Sequence, residues 1–135
     1  MTAPAPRGLL DTSVFIALES ARPIEAAKLP DQSVVCPVTI AELQAGVLAA
    51  ADIDTRARRL ATLETIADIE VLVIDAEVAA EWARLRVHLA ETGRRVNVND
   101  LWIAATAAAH GLPIVTQDDH FGPVDGVGGL SVIRV

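Results

Sequence analysis

Leu9-Leu10-Asp11-Thr12-Ser13 is the stretch on which the reading of the fold turns, because a short apolar run ends there on an acid followed by two hydroxyl residues. Strands covered on both faces read as short continuous apolar runs. In an open parallel sheet, ligands bind beyond the carboxyl ends of the strands, so an Asp closing such a run stands where a site forms. Working outward, comparable runs occur at Ser33–Val38, Val71–Ile74, Pro113–Thr116 and Leu130–Val135. Between them lie Ala-rich segments of helical period at Thr39–Ala51, Thr55–Ala67 and Ala76–Glu91, the last placing Val78, Trp82, Leu85 and Leu89 on one stripe. A further helix is expected from about Asn99 to His110, and its Ala104, Ala105, Ala107, Ala108 and Ala109 permit close approach to a neighbour. Strands alternating with helices imply right-handed crossovers and a mostly parallel sheet, hence one α/β domain over residues 1–135. Residues 1–7 read as a flexible N-terminal tail, and Gly122–Gly129 as a flexible turn without the GxGxxG spacing of a phosphate loop.

Composition excludes several classes. At 135 residues, 52% of them hydrophobic and 21% charged, the chain suits one domain with a sizeable core and is a poor candidate for disorder. No apolar stretch approaches the roughly 18 residues that span a bilayer, and Asp11 interrupts the first one before a signal-peptide core forms. A cytoplasmic protein with no membrane partner is expected. Cys36 is the only cysteine, so disulfide frameworks, Cys-rich zinc sites and CxxC redox centres drop out, and its apolar neighbours make it a core residue. The net charge of −7 opposes nucleic-acid binding unless a metal ion helps. The arginines are unevenly placed, however, with Arg56, Arg58 and Arg59 in one group and Arg84, Arg86, Arg94 and Arg95 in another, so local basic patches are compatible with that balance.

Three acids fall at carboxyl ends of strands by pattern alone: Asp11 ends the first, Glu42 lies in the first turn after the second, and Asp118 follows Thr116 at the end of the fourth. Asp100 is a fourth candidate, in the first turn of the Ala-rich helix. Each also has a purely structural reading. Glu42 stands at capping-box spacing from Thr39, Asp100 suits a helix N-terminus, Asp11 can cap the helix after it, and Asp118 with Asp119 can serve a turn. Together they weigh more, since each close pair of carboxylates repels by about 4 kcal/mol at about 4 Å and an effective dielectric of about 20. One or two divalent cations would neutralise such a cluster. Oxygen donors without Cys or a suitably spaced His pair favour Mg²⁺ or Mn²⁺ over zinc.

Four segments in this order, Asp11-Thr12-Ser13, Thr39-Ile40-Ala41-Glu42-Leu43, Gly93–Val96 leading to Asp100-Leu101-Trp102-Ile103-Ala104-Ala105, and Thr116-Gln117-Asp118-Asp119-His120-Phe121, resemble PIN-domain ribonucleases, and more narrowly the VapC toxins of prokaryotic toxin–antitoxin pairs. The resemblance covers nearly the whole chain. It implies a central parallel sheet flanked by helices, an acidic pocket of Asp11, Glu42, Asp100 and Asp118, and Asp119 as a further candidate. It also implies hydrolysis of RNA phosphodiester bonds by a metal-activated water. Asp11, Asp100 and Asp118 would hold Mg²⁺, with Mn²⁺ as substitute, while Glu42 would act through a water. Thr116, and Thr12 or Ser13, would orient the carboxylates. The products would carry a 3′-hydroxyl and a 5′-phosphate, and the implied partners are an RNA substrate, a VapB-like antitoxin with a basic tail, and a second copy in a homodimer.

Arg94 and Arg95, in the turn before Asp100, are the candidates for RNA phosphates, and His120 is a candidate for approaching the site or the substrate. His88 reads as a helix-surface residue, and His110, before Gly111, as a C-terminal helix residue. Ser/His/Asp catalysis finds no nucleophile elbow. A haloacid-dehalogenase-type phosphatase would place a second Asp two residues after the first, where Ser13 stands, and would need a late basic residue in the core, whereas Lys28 is the only Lys. A metal-dependent DNA nuclease and a non-catalytic scaffold of the same fold are the remaining alternatives, and the four intact acids argue against the scaffold.

Overall fold

Among the described residues, five short strands pair in parallel: β1 (Arg7–Leu10), β2 (Gln32–Val35), β3 (Glu70–Val71), β4 (Ile114–Thr116) and β5 (Val132–Arg134), in the spatial order β3-β2-β1-β4-β5. The computed structural model describes residues 4–135. Because successive side chains of a strand point to opposite faces, the apolar pairs of the sequence divide between two cores. Leu9 is in register with Val34 and Ile114, and all three enter the core under α4 (Ala76–Thr92) and α5 (Val98–His110). Leu10, Val35 and Val115 enter the opposite core with Val14 and Phe15 of α1 (Thr12–Glu19) and Leu43 of α2 (Pro37–Leu48). The fifth helix, α3 (Ile53–Thr65), packs against α1 and α2. The expected α/β class and parallel sheet therefore stand.

Close approach to the central strand depends on small residues. A Cβ at Gly8 would lie 3.0 Å from Val115 Cγ2 and 3.1 Å from Pro30 Cγ, so a side chain there would push β4 away from β1. Ala104, Ala105 and Ala107 of α5 are fully buried, whereas Ala108 and Ala109 are only partly so. Trp82 of α4 stacks on Trp102 of α5, with ring centroids 5.2 Å apart and planes at 22°. This seam joins two helices that cover the same face.

Several boundaries differ from expectation. The second strand ends at Val35, and α2 begins at Pro37 instead of Thr39, because Pro suits the first helical position. Glu42 consequently lies in the second turn of its helix. Of Val71–Ile74 only Val71, with Glu70, is in a strand, and Leu72 N donates to Val35 O as the chain leaves the sheet. Within the 1–7 segment, residues 1–3 lie outside the described residues, but Asp31 N and Gln32 N donate to the carbonyls of Ala5 and Pro6, and Arg7 already belongs to β1. The Gly122–Gly129 turn is anchored by short 3₁₀ turns at Gly122–Val124 and Val127–Gly129 and by the buried side chains of Phe121, Val124 and Leu130.

Phe121 is fully buried three residues after Asp118, so it fixes the loop that leaves β4. Phe121→Ala is expected to lower stability by about 3–5 kcal/mol in denaturant unfolding. Leu48→Ala, at a side chain 82% exposed, is expected to change it by no more than about 0.5 kcal/mol.

Candidate active site

The strand order reverses at β1, where chain connections run one way to β2 and β3 while β4 and β5 lie on the other side, and such switch points open a crevice at the carboxyl edge. Asp11 stands there, one residue beyond β1, its N–H donating to Val115 O at 2.9 Å. It is 3% exposed and caps α1. Ser13 Oγ at 2.7 Å, Thr116 Oγ1 at 3.0 Å and Ser13 N at 3.4 Å all donate to its Oδ2, while Oδ1 receives none of them. Each hydroxyl has a single proton and directs it at Asp11. Each then accepts from the loop after β4: Ser13 Oγ from Gln117 N at 3.0 Å, and Thr116 Oγ1 from Asp118 N at 3.0 Å. The same pair of hydroxyls thus holds both Asp11 and the backbone that carries Asp118.

The other acids arrive on helices. Thr12 Oγ1 donates to Glu42 Oε1 at 2.7 Å, and Thr39 Oγ1 lies 3.0 Å from Thr12 Oγ1, so the Thr39–Glu42 spacing forms no capping box. Cys36 is the N-cap of α2, without a side-chain cap bond. Asp100 is the third residue of α5, whose N-cap Asn97 accepts from Asn99 N at 2.8 Å and Asp100 N at 3.3 Å. A helix running antiparallel to the strands begins at their carboxyl edge, which brings Asp100 beside Asp11. His120 completes the group, with Nδ1 3.4 Å from Asp118 Oδ2 and 3.6 Å from Asp100 Oδ2, its side chain 65% exposed.

Electrostatics register the crowding. Burial, joined by the negative charges of Asp11, Glu42 and Asp118, pushes the Asp100 carboxyl up to about 6, against the opposing pull of His120. Burial also raises the Asp11 carboxyl, although the Ser13 and Thr116 hydrogen bonds oppose it and the Asp118 charge adds to it. Among the described residues no group of three Asp, Glu, His or Cys side chains stands in an arrangement that could hold a metal ion. The donor chemistry nonetheless fits a hard cation, since carboxylates gathered at one edge, with Asp11 Oδ1 free of those donors, are what such an ion neutralises.

Asp119 does not join this cluster. It forms an exposed ion pair with Arg134 of β5, whose other nitrogen donates to Gln117 O at 3.0 Å. Arg94 and Arg95 are exposed and line a cleft of about 490 Å³ with Arg86, Leu89, Val96 and Leu101. His88 is a half-buried residue of α4, and His110 ends α5 with Nδ1 2.9 Å from Thr106 O. Cys36 is buried, as expected. Asn97 and Gln117 were not singled out by sequence, although an Asn just before a helical run is a capping signal.

The family model described as the PIN domain matches residues 8–127. Over 134 residues the chain is 58% identical to ribonuclease VapC5 of Mycobacterium tuberculosis, covering 99% of this chain and 98% of that one. It is 40% identical over 126 residues to ribonuclease VapC4 of the same organism, covering 93% and 97%. Its structure is similar to that of a chain in the crystal structure of VapBC-5 from M. tuberculosis, a member of the VapBC family of toxin–antitoxin systems, with a TM-score of 0.91, 55% identity, and coverage of 96% and 99%.

A carboxyl whose pKa is higher folded than unfolded binds its proton more tightly in the native state, so stability falls as pH rises from about 4 to about 6 and stays lower above that. In the metal-free protein, Asp100→Asn removes this penalty. Its thermal midpoint is expected to exceed that of wild type at neutral pH, with the gap closing toward about pH 4; a gap that does not change with pH would contradict the assignment.

Proposed function

Because the chain belongs to the PIN-domain family and, within it, to the VapC ribonucleases, we propose that it is the toxin of a VapBC-type toxin–antitoxin pair and hydrolyses RNA phosphodiester bonds with a divalent cation. The observation that carries the reading is the meeting of Asp11, Glu42, Asp100 and Asp118 at the sheet's switch point, where burial and then the neighbouring negative charges raise Asp100 and hydroxyls orient two of the four carboxylates. Stability alone does not favour that arrangement.

Asp11 and Asp118 would hold Mg²⁺, or Mn²⁺ in its place, with Asp100 sharing it or holding a second ion and Glu42 acting through a water. When bound, the cation supplies Lewis-acid activation of water and offsets charge on the scissile phosphate. Ser13 and Thr116 orient the Asp11 carboxylate by occupying Oδ2, which would leave Oδ1 for the cation. Thr12 does the same for Glu42 by bonding Oε1. His120, exposed and beside two of the acids, would meet the RNA as it enters. A VapB-like antitoxin with a basic segment would neutralise the cluster, and a homodimer would cover part of an apolar surface that includes Ile53 and Val98.

The test is cleavage of a mixed cellular RNA pool by the purified chain with Mg²⁺ or Mn²⁺, with chelator, and with Asp11→Asn. Discrete cuts lost in chelator and in the variant, and suppressed by the cognate antitoxin, are expected; intact RNA with a folded protein would overturn the reading. Thr12→Val and Ser13→Ala keep all four acids and are each expected to lower cleavage by about 10–100-fold, the usual loss when a ligand's hydrogen-bonding partner is removed.

A further inference from the structure

Helix α4 ends at Gly93, whose φ of 65° lets the chain reverse, and Arg94 N donates back to Leu89 O at 3.1 Å. This reversal folds Arg94 and Arg95 onto the end of the helix that bears Arg86. The three side chains line one cleft whose apolar residues include Leu89, Val96 and Leu101, against which guanidinium stems can pack while their heads stay in water. Most other arginines have partners. Arg7 pairs with Glu70, Arg84 with Glu81 and Arg134 with Asp119, while Arg56 and Arg59 donate to backbone carbonyls. Among the described residues, the guanidinium groups of Arg86, Arg94 and Arg95 have neither an ion pair nor a hydrogen bond. The dipole at the end of α4 favours a cation there, but it does not explain three unpaired guanidinium groups on one cleft in a chain with 18 acids against 11 bases.

The cleft also adjoins the acids. Leu101, in its wall, directly follows Asp100. A Cβ at Gly122, two residues after His120, would lie 3.8 Å from Arg94 Nη2. We propose that this cleft is a phosphate-binding subsite, in which Arg86, Arg94 and Arg95 grip the RNA backbone next to the nucleotides held at the acidic cluster. The inference rests on the ribonuclease reading and adds to it the place where an acidic protein secures a polyanion: guanidinium forks, whose geometry suits phosphate, beside the cluster of carboxylates.

The test titrates the full chain with a short fluorescent single-stranded oligoribonucleotide of mixed sequence, in chelator so that no cleavage intervenes, from about 50 to about 200 mM salt. Each phosphate contact to a single strand contributes about −0.7 to the slope of log K against log salt. The variant Arg86→Ala/Arg94→Ala/Arg95→Ala is therefore expected to flatten the slope by about 2, which over that range is about 20-fold less salt-induced loss of affinity than wild type, and to bind more weakly throughout. Arg22→Ala/Arg58→Ala removes unpaired charge elsewhere and is expected to leave most of the slope. An unchanged slope in the triple variant, an equal loss per charge in the control, or a wild type that binds no RNA in chelator would each overturn the proposal. A triple variant that keeps RNA binding but loses the cognate antitoxin would do so as well, making the cleft a protein-facing patch. If wild type cuts RNA with metal and the triple variant binds and cuts equally well, this inference alone falls; if wild type neither binds nor cuts, the ribonuclease reading falls with it.

Discussion

A carboxylate almost without exposure is tolerable only when its hydrogen bonds are met, and the arrangement around Asp11 follows from that requirement. Its Oδ2 draws on hydroxyls from two elements, the first turn of α1 and the last residue of β4. Because those hydroxyls also accept the amides of Gln117 and Asp118, satisfying one acid orders the backbone of another. The network is local in space but spans more than a hundred residues of sequence. It joins residues that only the pairing of β1 with β4 brings together, so the candidate site and the centre of the sheet depend on each other.

The remaining acids reach the same edge by a different route. Helices that return across a parallel sheet start at the carboxyl ends of its strands, and Asp100, near the start of α5, therefore faces Asp118 beyond β4. Its alanines let α5 lie close on the sheet, while Phe121 pins the loop that carries Asp118 and His120 into the core beneath α4 and α5. Packing thus both buries Asp100, the main reason its carboxyl is raised, and holds it against the repulsion of the neighbouring acids. The apolar core supplies what the charged edge costs.

Asp11, Glu42 and Asp118 are legible as candidates for the strand edge because an acid closing or following an apolar run is visible in one dimension. Asp100 was not legible in that way: the pattern placed it in a first helical turn, and only the resemblance to a known family put that turn at the same edge. The capping box read into Thr39 and Glu42 dissolved because Pro37 starts the helix two residues earlier, which freed Thr39 to face Thr12. Asp119 looked like a further member of the acidic pocket until β5 supplied Arg134, a partner fifteen residues away that no local spacing reveals. The N-terminal residues read as a tail because alanine and proline carry little periodic signal, yet their carbonyls continue the β-type bonding toward Asp31 and Gln32. Arg86 belonged to a visible arginine group, but which of that group share a cleft is decided by the reversal at Gly93.

The stacked tryptophans have an optical consequence. The chain has two Trp and no Tyr, so essentially all of its near-ultraviolet absorption and emission arises from one indole pair spanning α4 and α5. Rings at 5.2 Å and 22° couple their transitions, and that coupling changes steeply with separation and angle. The helix that bears Trp102 also carries Asp100, two residues away. The protein therefore contains an intrinsic chromophore dimer placed to report displacement of α5 against α4 without any added label.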